Sequence, residues 1–232
     1  FVLVAATVVL HGFSLTPFAR ALGLAGGETP GVLIVGGSRW AAAFGEALKK
    51  AEVPVLITDA NRSRLRTARE LGLPTYFGDV LSEAAEHNVE AMNFGKLIAA
   101  TDNDAYNTLV ATDLAPEYGR EHVYQLRPAK QESARHALPA TLGGREIAKG
   151  SSYLELASLM TKGWTFRVTR LSEEFTLEHW ADKNPEGVIV ATIGPNGTLR
   201  LHGDREGVRD VPDTRVIAMV PPEPEAPSTQ NG

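Results

Sequence analysis

A glycine turn and an acidic residue further along the chain carry the clearest chemical signal in this sequence. Gly36 and Gly37 follow a short apolar run, and Asp59 closes the next apolar run. Backbone amides of such a turn, at the start of a helix, can bind a phosphate. An acid in the position of Asp59 accepts hydrogen bonds from ribose hydroxyls and disfavours a 2′-phosphate. The pattern therefore predicts an adenine nucleotide (AMP, ADP, ATP or NAD) as the ligand, and NADP is disfavoured.

The glycine turn departs from the dinucleotide fingerprint G-x-G-x-x-G. Gly36 holds the first position, but Ser38 and Ala41 stand at the second and third. The second glycine normally lets the backbone approach a pyrophosphate, so Ser38 predicts that a dinucleotide binds differently or poorly. A turn that binds no ligand is the alternative. Asp59 has its own alternative as a helix N-cap, and both roles are compatible.

Further polar residues follow the other predicted strands, at the sheet edge where such folds bind ligands. Thr101 and its neighbours could instead cap the helix that follows, and Arg62 and Arg64 could be solvated charges. Arg127 could face a phosphate or pair with an acid. The predicted cofactor-binding residues are Gly36, Gly37, Ser38, Arg39, Asp59, Ala60, Asn61, Arg62, Gly78, Asp79, Thr101, Asp102 and Asn103.

Composition and missing motifs restrict the function. The chain has no cysteine, which excludes disulfides and thiolate chemistry, and its net charge of -5 argues against nucleic-acid binding. None of the five tyrosines has a lysine four residues later, the six histidines are scattered, and no metal-binding spacing occurs. We therefore predict no catalytic residues, no metal ligands and no enzyme activity. A soluble NAD-dependent oxidoreductase is the alternative.

The elements that position these residues alternate between strands and helices. This order predicts a Rossmann-like doubly wound parallel sheet, an α/β fold. Strands are predicted at residues 32–35, 53–58, 75–77, 96–100 and 122–126, and helices at 40–51, 62–71, 82–90 and 104–118.

Strand patterns dominate the last part of the chain, where Gly194 to Gly197 gives a hairpin signal. We predict a smaller α+β subdomain there. The predicted divisions are a membrane-exit segment (1–24), a linker (25–31), the nucleotide-binding domain (32–128), a connecting helical segment (129–150), the small regulatory subdomain (151–222) and a disordered tail (223–232).

The first residues predict the end of a transmembrane helix. Residues 1–13 are uncharged and almost entirely apolar, and the first charge, Arg20, follows a proline-bearing stretch. This order is typical of a helix that leaves a bilayer on the basic, cytoplasmic side. A buried element of a soluble domain and a signal remnant are the alternatives.

Residues 32–128 resemble the RCK N-terminal (TrkA-N) domain, the regulator of potassium conductance. The segments IVGGSRWA, LITDANRSRL, YFGDV, IAATDNDAYN and YQLRP occur in that family's order and spacing. Residues 7–24 are similar to the end of the last transmembrane helix in bacterial monovalent cation:proton antiporters of the sodium/proton exchanger type. The combination implies a location and partners that the residues alone do not give.

The resemblance implies the cytosolic regulatory region of a membrane cation:proton antiporter that exchanges sodium or potassium for protons. The implied location is the inner (plasma) membrane, with most of this region in the cytoplasm. The implied partners are an upstream membrane transport domain of the same polypeptide and a second copy in a homodimer, without nucleic acid. A regulatory subunit of a potassium channel or uptake system is a further alternative.

Overall fold

A six-stranded parallel sheet organises the first half of the molecule. The structure, a computed structural model, describes residues 31–85, 94–129, 142–203 and 207–222. The strand order is β3-β2-β1-β4-β5-β6, and every neighbouring pair is parallel. The strands are β1 (Gly31–Val35), β2 (Val55–Asp59), β3 (Thr75–Phe77), β4 (Phe94–Ala99), β5 (Val123–Gln125) and β6 (Arg145–Glu146).

Alternating residues of the central strand face two separate cores. Val32 and Ile34 belong to one buried cluster, whereas Leu33 and Val35 belong to the cluster on the opposite face. A strand buried on both faces is what a parallel sheet covered by helices requires. The described helices are α1 (Arg39–Lys50), α2 (Arg66–Glu70), α3 (Asp104–Asp113), α4 (Ala115–Tyr118), α5 (Tyr153–Thr161) and α6 (Leu177–Lys183).

A four-stranded antiparallel sheet follows, with the order β7-β10-β8-β9. Its strands are β7 (Thr165–Arg170), β8 (Val188–Ile193), β9 (Leu199–Leu201) and β10 (Arg215–Val220). The hairpin between β8 and β9 closes through the Gly194 amide, which donates to the Thr198 carbonyl at 3.0 Å. The predicted fold class, a Rossmann-like α/β sheet followed by a smaller subdomain, is confirmed.

Helix α1 lies between the two sheets and joins them in one core. The Trp40 indole stacks on Phe44 at 5.3 Å between ring centroids, and both rings contact Phe166 of β7. The Trp40 Nε1–H donates to Met219 Sδ of β10 at 3.2 Å. Buried residues of the first sheet, of α1 and of the second sheet therefore form a single hydrophobic cluster.

Most element boundaries shift by one or two residues from the sequence expectation, and three predicted helical segments differ more. The helix predicted over 62–71 is restricted to α2, because residues 62–65 form turns in which the Asn61 side chain accepts hydrogen bonds from Ser63. The helix predicted over 104–118 divides at Leu114, before Pro116. Within the predicted helical segment 129–150, residues 142–150 contain β6, which pairs with β5 as a sixth parallel strand.

Several predicted segments lie outside the described residues. These are the membrane-exit segment 1–24, most of the linker 25–31, most of the helix 82–90 and the tail 223–232. Gly31, the last linker residue, begins β1. Among the helices that the structure describes, none is long and apolar enough to cross a bilayer.

Candidate functional site

Gly36 and Gly37 form a turn that leaves no room for side chains. Gly36 has φ +122°, and a Cβ there would lie 2.5 Å from the Ala100 carbonyl oxygen. A Cβ on Gly37 would lie 2.8 Å from the carbonyl carbon and oxygen of Arg64. The turn therefore needs glycine at both positions, because the loops after β2 and β4 pack directly against it.

Ser38 caps helix α1. Its backbone is extended, and its Oγ accepts a hydrogen bond from the Ala41 amide at 3.0 Å. This contact satisfies one of the amides that a helix leaves unpaired in its first turn. Ser38 thus replaces the second glycine of the fingerprint with a capping residue, and the amino end of the 12-residue helix points toward the glycine turn.

Asp59 braces the glycine turn from the neighbouring strand. One carboxylate oxygen accepts from the Gly37 amide at 2.8 Å, and the other accepts from the Asn61 amide at 2.7 Å. The residue is only 8% exposed. An ionised carboxylate has about four lone-pair positions, so each oxygen keeps capacity for a further donor such as a ribose hydroxyl.

The residues after Asp59 form an exposed turn. Ala60, Asn61 and Arg62 are all exposed, and the Arg62 carbonyl accepts from the Arg69 guanidinium at 3.1 Å. Arg64 then turns toward the sheet edge, where its guanidinium donates two hydrogen bonds to the carboxylate of Asp102, at 2.7 and 2.6 Å. These hydrogen bonds raise the pKa of Arg64 and hold the pKa of Asp102 below its usual value.

Gly78 and Asp79 end the third strand beside Asp59. The Gly78 amide donates to the Asp59 carbonyl at 3.2 Å. The Asp79 carboxylate accepts from the Tyr106 hydroxyl at 2.5 Å and from the Leu81 amide at 3.0 Å. Burial, followed by the hydrogen bond to Asp79, raises the pKa of Tyr106 above its ordinary value.

Thr101 and Asn103 shape the loop after β4. The Asn107 side chain on α3 accepts from the amide and the hydroxyl of Thr101, at 2.9 and 2.7 Å, and donates to its carbonyl at 2.9 Å. Asn103 caps α3 by accepting from the Tyr106 amide at 3.0 Å. The capping alternative thus describes Asn103, while Asn107 is a positioning residue that the sequence analysis did not select.

The fold brings most of the predicted residues to one edge of the sheet. The turns after β1, β2, β3 and β4 lie side by side there, since these strands are neighbours. Arg39 begins α1 and is exposed. Arg127 lies further along the edge, where its guanidinium pairs with both Glu155 oxygens at 3.1 Å, as the acid-pairing alternative predicts.

A cavity of about 210 Å³ opens beside the start of α1. It lies between the first sheet and α5, so residues of the second half of the chain form one of its walls. Its lining includes Ser38, Arg39, Trp40, Leu126, Tyr153 and Leu156. Across the described ranges, no group of three His, Asp or Glu residues could hold a metal ion.

A glycine turn at a helix amino end, with an acid closing the adjacent parallel strand, is the arrangement of nucleotide-binding α/β domains. Residues 32–136 match the family model of the TrkA-N domain, so this part of the chain carries that domain. No curated protein matches the chain.

Two solved structures match most of this chain. The GsuK channel bound to NAD has 14% identity and a TM-score of 0.44, covering 88% of this chain and 39% of that one. Another GsuK channel structure has 14% identity and a TM-score of 0.41, covering 87% and 39%. This chain therefore spans about two fifths of the length of these structures.

Proposed function

We propose that this chain is the nucleotide-sensing regulatory region of a membrane cation:proton antiporter. The observation that carries the nucleotide part is the Asp59 carboxylate, which meets the Gly37 amide at the amino end of α1. A phosphate would bind at the glycine turn and a ribose at Asp59. The TrkA-N match over residues 32–136 supports a binding domain rather than an enzyme.

The regulatory part of the proposal rests on how the site is built into the molecule. The helix that would bind the phosphate, α1, also packs on both sheets through Trp40 and Phe44. A nucleotide that binds one arrangement of these parts better than another would shift the equilibrium between them. Two copies of the domain would pair, and residues 25–31 would carry the shift to the membrane part.

Nucleotide titration tests the binding claim. The whole chain is titrated by calorimetry with AMP, ADP, ATP, NAD and NADP, and then with 2′,3′-dideoxy-ADP. Loss of the ribose hydroxyls should weaken binding about tenfold or more, because hydrogen bonds to a carboxylate are the strong ones. Asp59→Asn should discriminate less between ADP and its dideoxy analogue, because a neutral amide forms weaker hydrogen bonds to ribose hydroxyls than a carboxylate does.

Controls separate binding from folding in this experiment. Asp59 also braces the turn, so the melting temperature of each variant is measured, and exposed Asp113→Asn on α3 serves as the matched substitution. Equal affinity of the native chain for ADP and its dideoxy analogue would refute the role of Asp59. The regulatory claim fails if cation-driven proton flux through the parent protein in vesicles is indifferent to nucleotide.

A further inference from the structure

The ion pair between Arg64 and Asp102 crosses the mouth of the glycine turn. Arg64 follows β2 and Asp102 follows β4, and β1 lies between these two strands in the sheet. A contact between the two loops must therefore pass over the carboxyl end of β1, where Gly36 and Gly37 lie. The position of the Arg64 backbone confirms this path, because it lies within 2.8 Å of where a Gly37 Cβ would be.

The geometry of the pair is that of a guanidinium bound to a two-oxygen anion. Two nitrogens of Arg64 each contact one oxygen of Asp102, at 2.7 and 2.6 Å. Phosphate presents the same two-oxygen edge to arginine as carboxylate does. Both side chains are partly exposed, at 37% and 44%, so the pair can open without disturbing the core.

We propose that Asp102 is an internal substitute for a nucleotide phosphate. Its carboxylate binds Arg64 in the free protein, and the phosphate of a bound nucleotide replaces it. This inference rests on the proposed nucleotide site and adds its phosphate-binding residue and its competitor. Arg64 then binds the phosphate held at the turn, and the opening of the pair releases the loops after β2 and β4 from each other.

The exchange also selects the class of ligand. A terminal phosphate monoester, as in AMP or ADP, carries a charge close to −2 at neutral pH, because its second pKa is about 6. The phosphates of NAD are diesters with one negative charge each. One of them in place of Asp102 would bring the same charge to Arg64 as the carboxylate does, so the exchange would gain no charge attraction. The exchange should therefore favour AMP and ADP over NAD.

Substitution of each partner gives opposite results. Asp102→Asn removes the competitor, so ADP should bind about two- to tenfold more tightly than to the native chain. Arg64→Gln removes the phosphate partner, so ADP should bind about tenfold more weakly. A purely structural role of the pair would weaken binding in both variants, whereas competition predicts a gain in one of them.

Arg66 and Glu70 provide a matched control. They form an exposed ion pair of 2.9 Å within α2, and this pair does not cross the turn. Arg66→Gln and Glu70→Gln should leave the affinity for ADP unchanged. Calorimetric titrations with ADP, AMP and NAD on all five proteins complete the set, and their melting temperatures report folding.

The titrations can support or overturn the competitor role of Asp102. Tighter ADP binding by Asp102→Asn supports the proposal, also if the native chain binds too weakly to measure. Native binding of ADP that Asp102→Asn leaves equal or weakens overturns the competitor role, while the nucleotide site stands. Stronger native binding of NAD than of ADP overturns the charge argument. If no protein in the set binds a nucleotide, this inference and the proposed function fall together.

Discussion

Three carboxylates at the sheet edge determine which hydrogen-bonding groups a ligand can reach there. Asp59 is buried and holds two backbone amides, Asp79 holds Tyr106, and Asp102 holds Arg64. Each acid therefore already has a partner within the protein. A ligand can share Asp59, whose oxygens keep lone pairs, but it must displace Asp102 to reach Arg64.

His202 is a buried group that the nucleotide site does not use. It is 4% exposed, its Nε2 contacts Thr192 Oγ1 at 2.8 Å, and its Nδ1 has no hydrogen-bond partner among the described residues. Burial, and to a smaller extent the positive charges of Arg200 and Arg145, lower the pKa of His202 to about 4. The folded chain thus keeps this imidazole neutral under mildly acidic conditions.

We predict that His202 makes the protein less stable in acid. Between pH 6.5 and pH 4 the unfolded chain binds a proton that the folded chain refuses, so stability present above pH 6.5 is lost as the pH falls. Its contribution to the free energy of unfolding falls by up to about 3 kcal/mol across this window. Urea denaturation at pH 7, 5.5 and 4.5 should show a smaller loss in His202→Gln. Parallel pH curves for the two proteins would refute the assignment, and between pH 7 and 8 no divergence is expected.

At the scale of elements, the order of strands and helices could be predicted from sequence, but short polar elements could not. Short apolar runs form the central strands and are typical of strands buried on both faces, so β1, β2 and β4 were predictable. Strand β6 is only Arg145 and Glu146, both exposed, and it exists because β5 offers an edge. Helix α5 was missed although Ser152 and Glu155 form a capping box before it.

The geometry of the candidate site was predictable only in part. The parallel fold brings the carboxyl ends of β1 to β4 together, so the positions of Asp59, Asp79 and Thr101 follow from the strand order. The pair between Arg64 and Asp102 does not follow, because it depends on the path of two loops. Asn107 was missed since a polar residue within a helix gives no periodic signal.

We predict that the cap of α1 depends on the hydroxyl of Ser38. Ser38→Ala should lower the free energy of unfolding by about 1 kcal/mol, whereas Ser38→Gly should cost only a few tenths. Urea denaturation at neutral pH measures both. Exposed Ser158→Ala within α5 is the control and should cost nothing, because alanine favours the helix interior. Equal stability of Ser38→Ala and the native chain would contradict the capping role.

At the scale of the whole molecule, the two sheets share one core. Helix α1 packs on the first sheet with one side and on β7 and β10 with the other, and its aromatic rings meet Phe166 at 5.3 and 6.1 Å between centroids. The two sheets therefore should not unfold independently, because neither has a complete core without α1.

We predict that the protein unfolds in a single transition and that Phe166 stabilises both sheets against it. Phe166→Ala should lower the free energy of unfolding by about 2–3 kcal/mol, less than a fully buried phenylalanine would cost. Hydrogen exchange should show equal loss of protection in β1 and β10. Phe77→Ala is the matched control, because Phe77 is 56% exposed at the sheet edge. Loss of protection confined to the second sheet would contradict a shared core.

Trp40 has a consequence for how this protein can be rebuilt by recombination. The TrkA-N match ends at residue 136, before β7 and β10, yet Trp40 inside that match bonds to Met219 beyond it. A recombination crossover at residue 136 would join the first half to an unrelated second half. Trp40 and Phe44 would then lose their contacts with Phe166 and Met219, and their rings would be exposed to water. A replacement of the second half therefore needs a matching replacement of α1, because the two pack against each other.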